Sequence, residues 1–189
     1  MAQKSRIKLT KPELDFISDP LLMQIKQKLI RNLQLYLNGL GQHLAETFYT
    51  ADTNYKISRG ENYQDQPYVV LDVPQLKLNH MHGNLRVVFW WGNYMSLQYF
   101  IGVEDNLATQ IQQLPANNYV TLVTTDLFSN NLQEPCFMAS TQIEPSHLQA
   151  LHTTKICQQI AFNQLENLEE LTNQFLTVMQ KLGQKKGGA

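Results

Sequence analysis

The 189-residue chain reads as an α+β fold, a mostly antiparallel twisted sheet of about five to six strands with long N-terminal and C-terminal helices packed on one face. Two changes of period and one spacing argument lead there. Apolar residues recur every three or four positions at both ends of the chain, which is the stripe of a helix with one buried side. Between them, short runs rich in aromatic and β-branched residues are separated by Gly, Pro, Asn and Asp, the pattern of strands and tight turns. The links are too short for the crossover helices of a parallel sheet, so the strands must run antiparallel.

Residues 1–18 are polar and read as a flexible N-terminal segment. Asp19 followed by Pro20 marks a helix start, since an Asp side chain can accept the first free amides and proline at the first helical position loses no hydrogen bond. Leu22, Ile25, Leu29, Leu33, Tyr36, Leu40, Leu44 and Phe48 then form one stripe. Gly39 and Gly41 each weaken a helix interior by about 1 kcal/mol against Ala, so a bend or break is expected there.

Strands are expected at residues 55–59, 67–73, 85–91, 94–101 and 119–125, with a further one at 137–143. Gly92-Asn93 reads as a two-residue hairpin turn. In that register Trp91 pairs with Tyr94, and Arg86 faces Tyr99 on one side of the sheet. A short helix is expected within 105–114, and 153–161 is read as strand. Asn163 with Glu166 resembles a capping box, and Leu165, Leu168, Leu171, Phe175, Val178, Met179 and Leu182 form the apolar side of a last helix ending at Gly183. Residues 19–183 are therefore one domain, and 184–189 a flexible tail.

Composition narrows function by exclusion. Lys plus Arg number 15 and Asp plus Glu 16, a net charge of −1, with no basic stripe for a phosphate backbone, so nucleic acid is excluded as a partner. Charged residues make up only 16% of the chain, and polarity comes instead from 21 Gln and 15 Asn. The longest apolar run, Val87-Val88-Phe89-Trp90-Trp91, is far short of the ~20 residues of a membrane helix, so no membrane association is expected. Two cysteines without a pattern, no Asn-x-Ser/Thr acceptor and no signal peptide suit a cytoplasmic protein with reduced thiols.

Standard catalytic patterns are missing. Gly39-Leu40-Gly41-Gln42-His43-Leu44 begins like a dinucleotide fingerprint but lies within a helix and has leucine at the third glycine position. There is no phosphate-binding loop, nucleophile elbow, C-x-x-C or H-E-x-x-H, and no cofactor is expected. His80 and His82 could share an ion from one side of an extended segment, yet no third ligand follows, and they read better as two solvated histidines.

The residues that could form a site are Arg59, Glu61, Tyr63, Tyr68, Asp72, Arg86, Trp90 and Tyr99. Asp72 falls inside an apolar run and needs a partner if its face is covered, with Arg59 and Arg86 as candidates. Either these groups form an ion-pair network that fixes the sheet, or one arginine stays free to clamp a small anion in an aromatic-walled pocket. The functional expectation is a non-catalytic module that binds a small ligand or a protein through the sheet region. The alternatives are an enzyme acting on an anionic metabolite, with Asp72, Glu61 or His80 moving a proton, and a homodimer joined through the aromatic hairpin around Trp90 to Tyr94.

Overall fold

A computed structural model describes residues 8–48, 54–78, 81–115 and 118–182. Part of the N-terminal segment expected to be irregular is helical: α1 spans Lys11–Ser18. Its start is capped by Glu13, whose carboxylate accepts the Thr10 amide at 2.6 Å and the Thr10 hydroxyl at 2.7 Å. Asp19 is extended and ends α1. As expected, it also starts α2, Pro20–Phe48, its Oδ1 accepting the amides of Leu21 at 2.8 Å and Leu22 at 3.3 Å. The helix runs through Gly39 and Gly41 without the expected break, about 44 Å at 1.5 Å per residue. Gly41 leaves no room for a side chain, because a Cβ there would meet the Tyr55 ring at 2.6 Å.

The sheet has seven strands rather than five to six, all antiparallel: β1 Lys56–Tyr63, β2 Gln66–Leu78, β3 Met81–Trp90, β4 Tyr94–Gly102, β5 Val120–Leu122, β6 Phe137–Ala139 and β7 Thr153–Ile160. Their spatial order is β1-β2-β3-β4-β7-β5-β6. Each strand overlaps a segment that the sequence marks as strand, and the count of seven is reached because both short ones, β5 and β6 at three residues each, join the sheet beyond β7. Four short helical pieces fill the links: α3 Leu107–Ile111, a 3-10 turn at Ser140–Gln142, α4 Pro145–Leu148 and a second 3-10 turn at Phe162–Asn167. That turn displaces the start of α5, Leu168–Leu182, five residues beyond the expected Asn163 cap.

The β3–β4 hairpin is joined by three residues, not two. Trp90 opposes Tyr94, and Gly92 takes φ +75°, the left-handed conformation glycine adopts at little expense. One extra link residue shifts the register by one, and a one-residue shift moves a side chain's partners to the other face. Arg86 therefore opposes Gln98, and Tyr99 lies on the opposite face against Leu85.

That opposite face carries Val69, Leu71, Val73, Leu85, Val87, Phe89, Leu97 and Tyr99 and forms one core with Leu33, Leu37, Leu40 and Leu44 of α2 and Leu168, Phe175, Leu176 and Met179 of α5. The second face carries Val70, Val88, Trp90, Tyr94 and Cys157 and is covered by residues from the segment between β5 and β6, among them Leu127, Leu132 and Cys136. Both faces of the central strands are thus occupied, which places any accessible site at an edge or an end. Among the described residues no helix is long and apolar enough to cross a membrane.

Candidate functional site

The predicted cluster separates into three places. Arg86 donates its Nε–H to Asp72 Oδ1 at 2.6 Å, directly across the β2–β3 ladder, with the two side chains 22% and 33% exposed. Its guanidinium also lies 5.3 Å from the Phe100 ring centre. Arg59 does not join them. It opposes Val69, whereas the β1 residue opposite Asp72 is Lys56, and alternation puts Arg59 exposed on the other side of the edge strand. Glu61 instead reaches Lys26 of α2 at 2.7 Å.

Tyr63, Tyr68 and Trp90 do lie together, in a run of edge-to-face rings with Tyr94: Tyr63–Tyr68 at 6.3 Å, Tyr63–Trp90 at 5.3 Å and Trp90–Tyr94 at 5.5 Å. Their polar ends hold the segment over the sheet. The Tyr63 hydroxyl accepts the amides of Asn130 at 2.6 Å and Asn131 at 3.2 Å, and the Tyr94 hydroxyl accepts the Leu132 amide at 2.6 Å while donating to the Asn130 carbonyl at 3.1 Å. Gln64 and Asp65, in left-handed conformations at φ 49° and 61°, turn β1 into β2 and let Gln64 donate to Glu134 at 2.7 Å. Tyr99 is fully buried on the helix-covered face, its hydroxyl without a hydrogen-bond partner among the described residues, and burial pushes its phenol up. His82 is exposed on β3 opposite Lys77, and His80 lies outside the described residues. No group of three metal-binding side chains occurs among the described residues.

Sequence reasoning missed Lys155. It is fully buried on β7, and its ammonium donates to Gln98 Oε1 at 3.3 Å, to the Leu127 carbonyl at 3.1 Å and to the Ser129 carbonyl, between the rings of Phe100 and Phe137. Burial lowers its pKa, and the nearby Arg86 charge acts in the same direction. A lone lysine in an otherwise uncharged strand was the only signal of it. Cys157, two residues on and also fully buried, has its thiol pushed up to about 12 by burial. Lys155 fastens the covering segment to the sheet, and its three acceptors enclose the ammonium away from any ligand.

An open apolar surface lies at one end of the helix layer, apart from the larger polar groove that Glu166, Glu169, Glu170 and Asn173 line along α5. Leu29 and Leu33 of α2, Phe89 and Trp91 of the β3–β4 hairpin, and Phe162 and Leu165 before α5 line a cavity of about 240 Å³. Leu33 and Phe89 belong to the core, so the cavity is an open end of that core. Beside it α2 carries Leu21, Leu22, Ile25 and Leu29 exposed by 61%, 41%, 51% and 41%. Leu22, Ile25 and Leu29 continue the spacing of Leu33, Tyr36, Leu40 and Leu44, which pack within or against the core. One stripe is thus covered over its second half and bare over its first. No protein-family model, curated protein or solved structure matches this chain.

Proposed function

We propose that the chain is a non-catalytic protein-binding module that docks an apolar polypeptide segment in the groove between α2, the β3–β4 hairpin and Leu165. The observation that carries this reading is the uncovered half of the α2 stripe running into an open end of the core. Exposed apolar surface beyond a few hundred Å² on a folded domain marks an interaction site, and fully burying one leucine or isoleucine contributes about 1.5–3 kcal/mol. Anchors at i, i+3 and i+7, as in Leu22, Ile25 and Leu29, are the spacing of helix-in-groove recognition. Arg86, the residue best placed to bind a small anion, is engaged by Asp72, which weighs against the metabolite-enzyme alternative.

A photo-crosslinking amino acid at Leu29, with the same group at exposed Arg59 as control, tests the reading in cells producing the protein. A covalent adduct to a polypeptide from position 29, missing from position 59 and lost on adding Ile25→Glu, is the expected result. No polypeptide adduct at position 29 would overturn it.

A further inference from the structure

We infer that residues 123–136, the cover over the second sheet face, form a lid that opens as one unit while the helix-covered core stays folded, with the Lys155 ammonium as its latch. The chain path allows that motion. The Val123 amide donates to the Cys136 carbonyl at 2.8 Å, so the segment leaves and rejoins the sheet at one point. A loop of this length with its ends joined is an Ω-loop, packed largely by its own side chains. Its internal bonds agree: Ser129 Oγ donates to Glu134 Oε2 at 2.7 Å, the Phe128 amide to Asp126 Oδ1 at 3.0 Å and the Glu134 amide to the Asn131 carbonyl at 3.1 Å. A swing about the Val123–Cys136 pair breaks none of these and no rung of the β5–β6 ladder.

The closed position is held by few apolar side chains and is imperfectly bonded. Among the buried apolar residues on that face the lid supplies Leu132 alone, with Leu127 and Cys136 part-buried. Thr124 Oγ1 and Asn130 Oδ1, both on the lid, are two of the three buried side-chain polar atoms without a hydrogen-bond partner among the described residues. Each regains water when the lid opens, and a buried hydrogen bond left unmade weighs against the closed state.

What lies beneath is polar for a core. Ser96, Gln98 and Lys155 are at most 1% exposed and form a chain, Gln98 Nε2 donating to Ser96 Oγ at 3.0 Å and Lys155 Nζ to Gln98 Oε1 at 3.3 Å. Apolar side chains would serve a permanently closed interior at least as well, whereas these three suit a face that meets water. No carboxylate lies within ion-pair distance of Lys155 among the described residues, and two of its three acceptors, the Leu127 and Ser129 carbonyls, belong to the lid. The lid's other ties come from Tyr63, Tyr94 and Gln64, all uncharged, so Lys155 is the one cation that holds it among the described residues. A charged donor makes the stronger bond.

Cys157, fully buried on the covered face, serves as the probe. In a Cys136→Ser background, dithionitrobenzoate should label Cys157 through an opening whose equilibrium constant exceeds that of global unfolding by at least about tenfold and depends less on urea. Lys155→Met keeps the bulk but leaves the two lid carbonyls without their donor, and should raise that constant by at least a further tenfold or so with the circular dichroism unchanged. Hydrogen exchange at the Asn130 to Leu132 amides should quicken in step, while exchange in β3 and β4 does not. Labelling no faster than global unfolding allows overturns the lid, as does equal quickening in β3 and β4. Unchanged labelling in Lys155→Met overturns the latch, and loss of its folded spectrum overturns both, because the lysine would then hold the whole fold.

Discussion

Arg59 and Arg86 flank the same strand, β2, and differ in which of its residues they oppose. Val69 and Asp72 are three apart, so alternation sends their side chains to opposite faces, and only the arginine across from Asp72 can bond it. The sequence showed that Asp72 needed a cation but not which register would supply one, since both arginines satisfy the pattern. Truncating Arg86 leaves a part-buried carboxylate without its charge-assisted hydrogen bond, whose worth in this partly solvated setting is about 1.5 kcal/mol. Truncating Arg59 removes an exposed side chain, worth within about 0.5 kcal/mol. Urea denaturation of Arg86→Ala and Arg59→Ala should therefore separate the two midpoints, with only Arg86→Ala shifted downward. Equal losses would mean that Arg59 shares the pairing.

At the scale of elements, α2 holds two glycines with opposite consequences. An added Cβ at Gly39 meets nothing within 4 Å, so Gly39→Ala recovers the helix propensity that glycine forfeits and should stabilise by up to about 1 kcal/mol. At Gly41 the same methyl strikes Tyr55 Cδ2 and Cγ at 2.6 and 2.8 Å, atoms near the root of a ring whose hydroxyl donates to Asn38 Oδ1 at 2.8 Å. Gly41→Ala should lose about 1–3 kcal/mol to overpacking despite its better propensity. Thermal melts of the two variants should move in opposite directions, and a gain for both would show that Tyr55 yields freely. The helix ends reveal what the sequence could carry. Asp19-Pro20 was legible because the cap is encoded by adjacent residues. The equally local Thr10-Lys11-Pro12-Glu13 signal opens a helix of only eight residues, none of them buried, too short for a period to mark it off from the polar segment around it. The hairpin register failed for a different reason, since Gly-Asn permits both a two-residue and a three-residue link, and the choice is made by pairing along whole strands.

At the scale of the molecule, periodicity exposed the α+β plan, because alternation and helical spacing are local consequences of burial. The cover over the second sheet face was not legible, because residues 123–136 have no period and are held by hydrogen bonds, two each, to Tyr63, Tyr94, Gln64 and Lys155, residues distant in sequence. That cover and the helix layer on the other face together bury a set of ionisable groups whose combined titration can be followed. Burial pushes Cys157 and Tyr94 up to about 12, and raises Tyr99, Tyr119, Tyr36 and Cys136 as well. An acid whose folded pKa is raised keeps its proton when the unfolded chain loses it, so its contribution is complete below the unfolded value and is lost above it. For thiols that loss begins near pH ~8.5 and for phenols near ~10. Lys155 acts oppositely. Its folded pKa is lowered, so the unfolded chain binds the extra proton and stability rises with pH between that lowered value and ~10.4. One lysine working against two thiols and four phenols gives a net fall. Stability measured by urea denaturation should begin to decline near pH ~9 and steepen beyond ~10. Cys157→Ala should lower the whole curve through lost packing yet make its slope between about pH 8.5 and 10 shallower, because the most deeply buried thiol no longer titrates there. A curve flat to pH ~11 would mean that these groups reach water in the folded state, through an opening of the cover over Tyr94, Cys136 and Cys157 and of the helix layer over Tyr36, Tyr99 and Tyr119.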